Sequence, residues 1–190
     1  MGLVLRICSR SNRLSNIGIL FFISCIFNIA WILAWHYEIV WLSLIIMALL
    51  LISLMSIYIR LGIGRTGAGN TEKIFVNIPF SVYLGWITIA TIANVTAFLV
   101  KINWSKFGIN DEIWAVIVIA VGVLITLIIL FSRNDIFYSF VVIWALVGIL
   151  LKRIADNSMP DQLVIISSIA GISIIGLVII LQLIRKKRIY

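Results

Sequence analysis

Long apolar runs separated by short polar stretches make up most of this chain. Six runs are long enough to be helical membrane spans: Ile17–Trp35, Ile39–Leu61, Ile78–Val100, Ile113–Phe131, Ile136–Leu151 and Leu163–Ile184. A helix needs roughly 20 apolar residues to cross the hydrocarbon core of a bilayer, which is about 30 Å thick. The pattern therefore predicts an all-α fold, a polytopic membrane helix bundle of about six transmembrane helices.

The fifth run, Ile136–Leu151, is the shortest. As a helix its 16 residues would rise only roughly 24 Å. Such a span needs a locally thinned bilayer or flanking side chains that reach the interface. We expect this crossing to depart most from an ideal span. A re-entrant unit formed by the fourth and fifth runs is the alternative that would lower the count.

The composition excludes a soluble globular domain. The chain is 63% hydrophobic and 12% charged, whereas soluble domains carry about 25% charged residues. Since the spans leave only short connections, we expect any function to reside inside the membrane or at its surface. No Asp, Glu, Lys or Arg lies inside a run away from its ends, which disfavours a proton relay or an ion-coupled pump.

The distribution of charge predicts the orientation. If the N-terminus is cytoplasmic, eleven of the 15 Lys and Arg residues lie on that side and four on the other. Cytoplasmic connections are enriched in Lys and Arg, so both termini are predicted to face the cytoplasm, in a membrane that we expect to be bacterial. The net charge of +8 is placed at the ends of apolar runs, which indicates lipid head groups as partners rather than nucleic acid.

Catalytic and metal-binding patterns are missing from the sequence. His36 is the only histidine, and a zinc site needs three or four protein ligands. The acidic residues are scattered over several connections, so we expect no enzyme. The segment from Gly62 to Gly67 matches G-x-G-x-x-G by letter, but it follows a predicted helix rather than the strand that a dinucleotide site requires, and we interpret it as a loop.

Two of the spans carry a stripe of polar, aromatic and small residues on one helical face. At 100° per residue, the stripes are formed by Phe21, Ser24, Asn28, Trp31 and Trp35 in the first span, and by Tyr83, Trp86, Ala90, Asn94 and Ala97 in the third. One interpretation is hydrogen bonding and close packing between helices. The other is a small-molecule pocket with aromatic walls and two amides. Spacing alone favours contacts between helices.

The same stripes carry a family resemblance. The third span reads Tyr83-Leu84-Gly85-Trp86, then Ala90-Thr91 and Asn94, with Pro79 upstream, and the first span contains Asn28 followed three residues later by Trp31. These segments resemble the last and the third helix of the TspO/MBR family, the tryptophan-rich sensory proteins and relatives of the translocator protein. The resemblance implies that residues 17–100 correspond to the last three helices of that five-helix fold. The family's first two helices have no counterpart in this expectation.

The resemblance implies that the chain is divided into four segments. Residues 1–16 would be a basic cytoplasmic segment, and residues 17–100 a TspO-like segment of three helices. Residues 101–184 would add three further membrane helices, and residues 185–190 a basic cytoplasmic tail.

The resemblance also implies a function. It points to non-catalytic binding of a hydrophobic or amphipathic small molecule, such as a tetrapyrrole or an isoprenoid lipid, at a site formed by Asn28, Trp31, Tyr83, Trp86, Thr91 and Asn94. No cofactor is firmly implied, and a porphyrin- or haem-type ligand is one candidate. The later helices of the chain, a second copy of the chain or a partner membrane subunit would complete the site. A transporter or permease subunit and a non-catalytic regulatory membrane partner are the alternative functions.

Overall fold

Six long helices make up most of the part of the chain that the structure describes. The structure is a computed structural model that describes residues 2–65, 69–155 and 161–187, and the side chains of residues 17–65, 69–155 and 161–185. We label the helices α1 (Gly2–His36), α2 (Val40–Leu61), α3 (Ile78–Lys101), α4 (Asp111–Arg133), α5 (Ile136–Ala155) and α6 (Gln162–Lys187). A short helical turn, Asn70–Glu72, and a π-helical segment, Lys73–Asn77, lead directly into α3. The described residues contain no strand, so the all-α prediction is confirmed.

All six helices are long and apolar enough to cross a membrane. In α1 the span begins at Ile17, and the helix itself begins at Gly2. The expectation of a fifth span of only 16 residues is wrong. Helix α5 has 20 residues, which corresponds to roughly 30 Å. It continues through Lys152 and Arg153, whose long apolar stems allow the charged groups to reach the interface while the backbone stays helical.

Each helix packs on a small number of neighbours. Contacts run from α1 to α2, from α2 to α3, from α3 to α5, from α5 to α6 and from α6 to α4, and α4 also touches α5. Small residues allow the closest approaches: a Cβ on Gly85 of α3 would lie 3.1 Å from the carbonyl oxygen of Tyr138 in α5, and one on Gly171 of α6 would lie 2.9 Å from the Val123 side chain in α4. Helices α3 and α4 are consecutive, yet they contact each other only slightly.

Polar contacts tie the connections together at both ends of the bundle. At the end where α1 meets α2, which we call the α1–α2 end, the Lys101 ammonium donates to the Glu38 carbonyl oxygen at 2.6 Å. There too, the Leu163 backbone N–H donates to the Glu112 carboxylate at 2.9 Å, which joins the first turns of α6 and α4. The opposite end, which we call the α2–α3 end, carries the α2–α3 and α4–α5 connections.

The α2–α3 end contains a buried carboxylate. Asp135 is 4% exposed, and its side chain accepts hydrogen bonds from the Tyr58 hydroxyl at 2.7 Å and from the backbone N–H groups of Phe137 and Tyr138 at 3.1 and 3.2 Å. It thereby caps the N-terminus of α5 and joins it to α2. The Arg133 guanidinium lies over the Tyr58 ring, 5.6 Å from its centroid.

Candidate functional site

An apolar cleft lies between α3, α4 and α5. Its volume is about 410 Å³. The cleft separates α3 from α4, which contact each other only slightly, and α5 contacts both of these helices. It is lined by Ile89, Ile92, Ala93, Thr96, Ala97, Val118, Ile119, Gly122, Val123, Val142, Ala145, Leu146 and Ile149.

Small side chains on all three helices make room for this cleft. Ala93 and Ala97 lie on α3, Gly122 on α4 and Ala145 on α5. A Cβ on Gly122 would lie 3.8 and 3.9 Å from the ends of the Ile92 and Ile89 side chains, so the space in front of this glycine is not filled by its neighbours. The missing side chain therefore contributes directly to the volume of the cleft.

The wall of the cleft presents few groups for hydrogen bonding. Thr96 supplies the only polar side chain among the lining residues, and its hydroxyl donates to the Ile92 carbonyl oxygen at 3.0 Å. An occupant of this part of the cleft would therefore be held by apolar contact.

Towards the α1–α2 end the cleft continues into a more polar region. This second part has a volume of about 390 Å³ and shares Thr96, Val118, Ile119 and Ile149 with the first. We call it the mouth. Its further lining residues include charged and aromatic ones and comprise Val100, Lys106, Asp111, Trp114, Ala115, Arg153 and Val164. The two spaces adjoin at these four residues, and we refer to them together as the groove, which is apolar in the middle of the bundle and charged at its end.

The charged residues of the mouth are paired with acids. Lys106 forms an ion pair with Asp111, and the side chains of these two residues are 27% and 81% exposed. Arg153 pairs with Asp161 at 2.8 Å. Both cations therefore have partners that are themselves in contact with solvent.

The predicted site residues on α1 lie on its partly buried side, and Trp31 packs against the hydrophobic core. Asn28 and Trp31 are half-buried. The Trp31 ring lies 6.5 Å from that of Trp35, and its indole N–H is buried without a hydrogen-bond partner among the described residues. Ser24, which belongs to the same stripe, is fully buried.

Asn94 joins α3 to α2. Its side chain is 2% exposed, and its Oδ1 accepts a hydrogen bond from the Ser43 hydroxyl at 3.0 Å. This is the contact between helices that the spacing favoured. The Nδ2 group of Asn94 is buried and has no partner in the part of the chain that the structure describes.

Trp86 lies on another side of α3. Its ring is 45% exposed and packs against Trp144 of α5, with the ring centroids 5.5 Å apart. Ile89, one turn further along the helix, lines the cleft. The tryptophan pair is thus placed next to the deep end of the cleft, and Asn94 is turned towards α2 instead.

The remaining predicted residues, Tyr83 and Thr91, are half-buried. The Thr91 hydroxyl donates to the Ile87 carbonyl oxygen within its own helix at 2.7 Å. The structure therefore does not bring the six predicted residues together on one side of α3. Asn94 faces α2, whereas Trp86 on the same helix packs against α5. Their role in binding a ligand stays a prediction.

Sequence reasoning missed the cleft and the buried Asp135. Eight of the thirteen lining residues come from α4 and α5, and all eight are apolar or glycine, so that the small residues Ala93, Ala97, Gly122 and Ala145 are the only signal in the sequence for space between the helices. Asp135 stands in a short connection, where an acid ordinarily faces water. Within the described ranges, no group of three or more His, Cys, Asp or Glu residues could hold a metal ion.

Comparison with known proteins gives one result. A family model described as TSPO-like protein matches residues 4–181. The match continues past residue 100 and through α4 and α5 into α6, and it draws no boundary between the two predicted three-helix segments. No curated protein matches the chain, and no solved structure matches it. Six membrane-spanning helices and a family match over nearly the whole length lead to one conclusion: the chain is an integral membrane protein that belongs to the TSPO-like protein family.

Proposed function

We propose that this protein binds a hydrophobic or amphipathic small molecule in the cleft between α3, α4 and α5. The observation that carries the proposal is the cleft itself, an apolar space of about 410 Å³ in the membrane-spanning part of the bundle. Small-molecule sites usually measure about 300–1,000 Å³ and have mostly apolar walls with a few polar groups. Both the volume and the lining agree with such a site.

The position of the cleft favours a ligand that arrives from the lipid phase. Because α3 and α4 contact each other only slightly and Ala93 in the lining is exposed, we infer that the cleft opens between these two helices. A membrane-dissolved molecule can enter there without crossing a charged surface. A ligand with a flat or elongated apolar body, such as a tetrapyrrole or an isoprenoid lipid, suits the apolar lining.

The six residues predicted from the resemblance take two roles in this proposal. Trp86, together with Trp144, offers aromatic surface beside the deep end of the cleft. Asn28, Trp31, Tyr83, Thr91 and Asn94 lie on or towards the other sides of α3, where the unpartnered N–H groups of Trp31 and Asn94 would serve a ligand that carries an acceptor. We place the main binding site in the cleft, because the structure shows open space there.

We propose binding without chemical conversion. The lining of the cleft contains one hydroxyl, on Thr96, and no acid, base or thiol. General acid–base or nucleophilic catalysis needs such groups within hydrogen-bond reach of the reacting atoms. The deep part of the cleft can therefore hold a molecule but provides no group that would transform it.

The test is a fluorescence titration of the protein in non-ionic detergent micelles with protoporphyrin as the probe. Gly122→Leu places a side chain in the cleft, and Ala93→Leu narrows it from the exposed side of α3. Gly176→Leu is the matched control, because a Cβ at Gly176 meets no atom within 4 Å and α6 does not line the deep part of the cleft. The thermal midpoint of each variant checks that it is folded.

We expect saturable quenching of tryptophan fluorescence in the wild type and in Gly176→Leu, and an affinity reduced by about tenfold or more in the two cleft variants. Quenching that is equal in all four proteins, or that never saturates, would refute binding in the cleft. A net flux of the probe across proteoliposomes that disappears in Gly122→Leu would assign the same cleft to a transporter.

A further inference from the structure

We propose that the groove binds a phosphate-headed lipid, with the apolar chain in the cleft and the phosphate between Lys106 and Arg153 at the mouth. The inference rests on the proposed function, because it specifies the chemical class of the ligand and its orientation. Two features carry it: the cleft and the mouth adjoin at four shared residues, and two cations from different elements line the mouth.

The groove has the shape of an amphiphile. The four residues shared by its two parts, Thr96, Val118, Ile119 and Ile149, join the apolar cleft to the charged mouth. Along α4 the lining runs from Asp111 to Val123, a rise of roughly 18 Å at 1.5 Å per residue. An elongated chain with one polar end matches this succession, whereas a molecule that is polar at both ends would place a polar group among apolar side chains.

The two cations of the mouth come from different elements. Lys106 belongs to the short 3₁₀ turn that precedes α4, and Arg153 to the last turn of α5. Their side chains are 27% and 38% exposed, so both are accessible from the groove and shielded in part from water. An arginine binds two phosphate oxygens at once, and a lysine adds a point charge, so that the pair can hold one dianionic head from two sides.

The acids of the mouth do not prevent this binding. Asp111 is 81% exposed, and it can release Lys106 into a new ion pair while its own carboxylate stays hydrated. Asp161, which pairs with Arg153, is also in contact with solvent. Exposed ion pairs of this kind contribute little, whereas a phosphate offers more negative charge and three acceptor oxygens. We expect the two cations to exchange their carboxylate partners for the phosphate.

The mouth lies at the α1–α2 end, which the charge distribution predicts to face away from the cytoplasm. Trp114 lines it as well, and an indole ring is well suited to the level of the lipid head groups. The bound head group would therefore lie at the interface of the outer leaflet, with its chain directed towards the middle of the membrane.

The experiment compares two probes that share one chain, farnesyl phosphate and farnesol, in non-ionic maltoside micelles. Affinities are measured for the wild type, Arg153→Gln and Lys106→Gln. Lys152→Gln is the matched control, because Lys152 neighbours Arg153, is exposed and does not line the groove. Gly122→Leu reports on the cleft with both probes, and free inorganic phosphate serves as a competitor for the head-group position.

We expect the wild type and Lys152→Gln to bind farnesyl phosphate about tenfold more tightly than farnesol. Arg153→Gln and Lys106→Gln should lose most of this preference and leave the affinity for farnesol unchanged. If both probes bind equally, or if Lys152→Gln reduces the preference as much as Arg153→Gln, the head-group site is refuted while the cleft remains. If neither probe binds, the phosphate-headed lipid is refuted; if protoporphyrin also shows no saturable binding that Gly122→Leu weakens, the proposed function itself fails.

Discussion

Gly64 lies where the α2–α3 connection passes the turn between α4 and α5. Its φ angle is +79°, and a Cβ at this position would overlap the carbonyl oxygen of Arg133. The Arg133 guanidinium also donates to the Ile63 carbonyl oxygen at 3.4 Å, so the two connections are in direct contact. The glycine pattern that we interpreted as a loop thus includes a position where packing requires a glycine. Residues 66 and 67 of the pattern lie outside the described residues.

We predict that Gly64→Ala destabilises the protein by about 1–3 kcal/mol, because a side chain there combines a left-handed backbone with a steric overlap. Thermal unfolding in detergent is the measurement. Gly69→Ala is the control, since a Cβ at Gly69 meets nothing within 4 Å and its φ is −64°. Equal midpoints for the two variants would show that the connections do not pack as described.

Asp135 is the polar residue whose environment differs most from the expectation. An acid between two spans suggests a hydrated loop, yet Asp135 is 4% exposed, and its carboxylate accepts a hydrogen bond from the Tyr58 hydroxyl at 2.7 Å. No pattern along the chain indicates this pair, because the two residues are 77 positions apart. Buried carboxylates need donors, and here a turn and a distant helix supply them.

We predict that Tyr58→Phe lowers the free energy of unfolding by about 1–3 kcal/mol, because a buried carboxylate loses a donor. Tyr37→Phe should have almost no effect, since Tyr37 is 70% exposed. The comparison uses unfolding curves in mixed micelles. A Tyr58→Phe protein as stable as Tyr37→Phe would contradict the contribution of this hydrogen bond.

At the scale of helices, the sequence predicted the elements well. Six apolar runs correspond to six helices, and several helices extend beyond their runs: α1 begins at Gly2 rather than at Ile17, and α5 is 20 residues long because it continues through Lys152 and Arg153. The hydrophobic run in the sequence ends at Leu151, whereas the hydrogen-bonded helix in the structure continues to Ala155. The helical spacing favoured hydrogen bonds between helices, and the polar residues confirm this only in part. Asn94 forms a hydrogen bond with a neighbouring helix, whereas the Thr91 hydroxyl donates within its own helix.

The Ser43–Asn94 hydrogen bond should contribute to the packing of α2 against α3. We predict that Asn94→Leu destabilises the protein by about 1 kcal/mol. In the double variant, Ser43→Ala should cause little further destabilisation, because the hydrogen bond between the two residues is already lost. Thr91→Val is the control, as its hydroxyl serves only a local bond. Additive effects of the Ser43 and Asn94 substitutions would mean that the two residues act independently.

For the whole molecule, the sequence predicted the class but not the arrangement of the helices. Consecutive helices usually pack together, yet α3 packs on α5, and α4 packs on α6 and α5. The cleft follows from this order, because α4 is held away from α3 by its other partners. Apolar runs of similar composition cannot reveal which helices become neighbours, so the site could not be located from the pattern.

The predicted orientation can be tested with two single cysteines in a background without the native ones. Ser105→Cys lies in the α3–α4 connection and Ser132→Cys at the end of α4, and both positions are exposed. In intact cells we expect a membrane-impermeant maleimide to label Ser105→Cys and not Ser132→Cys, because positively charged connections stay in the cytoplasm. Labelling of Ser132→Cys alone would reverse the orientation, and with it the leaflet that the mouth faces.

The central claim is that the cleft between α3, α4 and α5 binds an apolar or amphipathic molecule, and photochemical labelling tests it most directly. A farnesyl phosphate that carries a diazirine on its chain would be bound to the purified protein in micelles, irradiated and mapped by mass spectrometry, with and without an excess of unlabelled ligand. We predict that the labelling that excess ligand suppresses lies on α3 between Ile89 and Ala97 and on α4 around Gly122. Suppressible labelling confined to α1 and α2, or labelling that excess ligand does not reduce, would contradict the account.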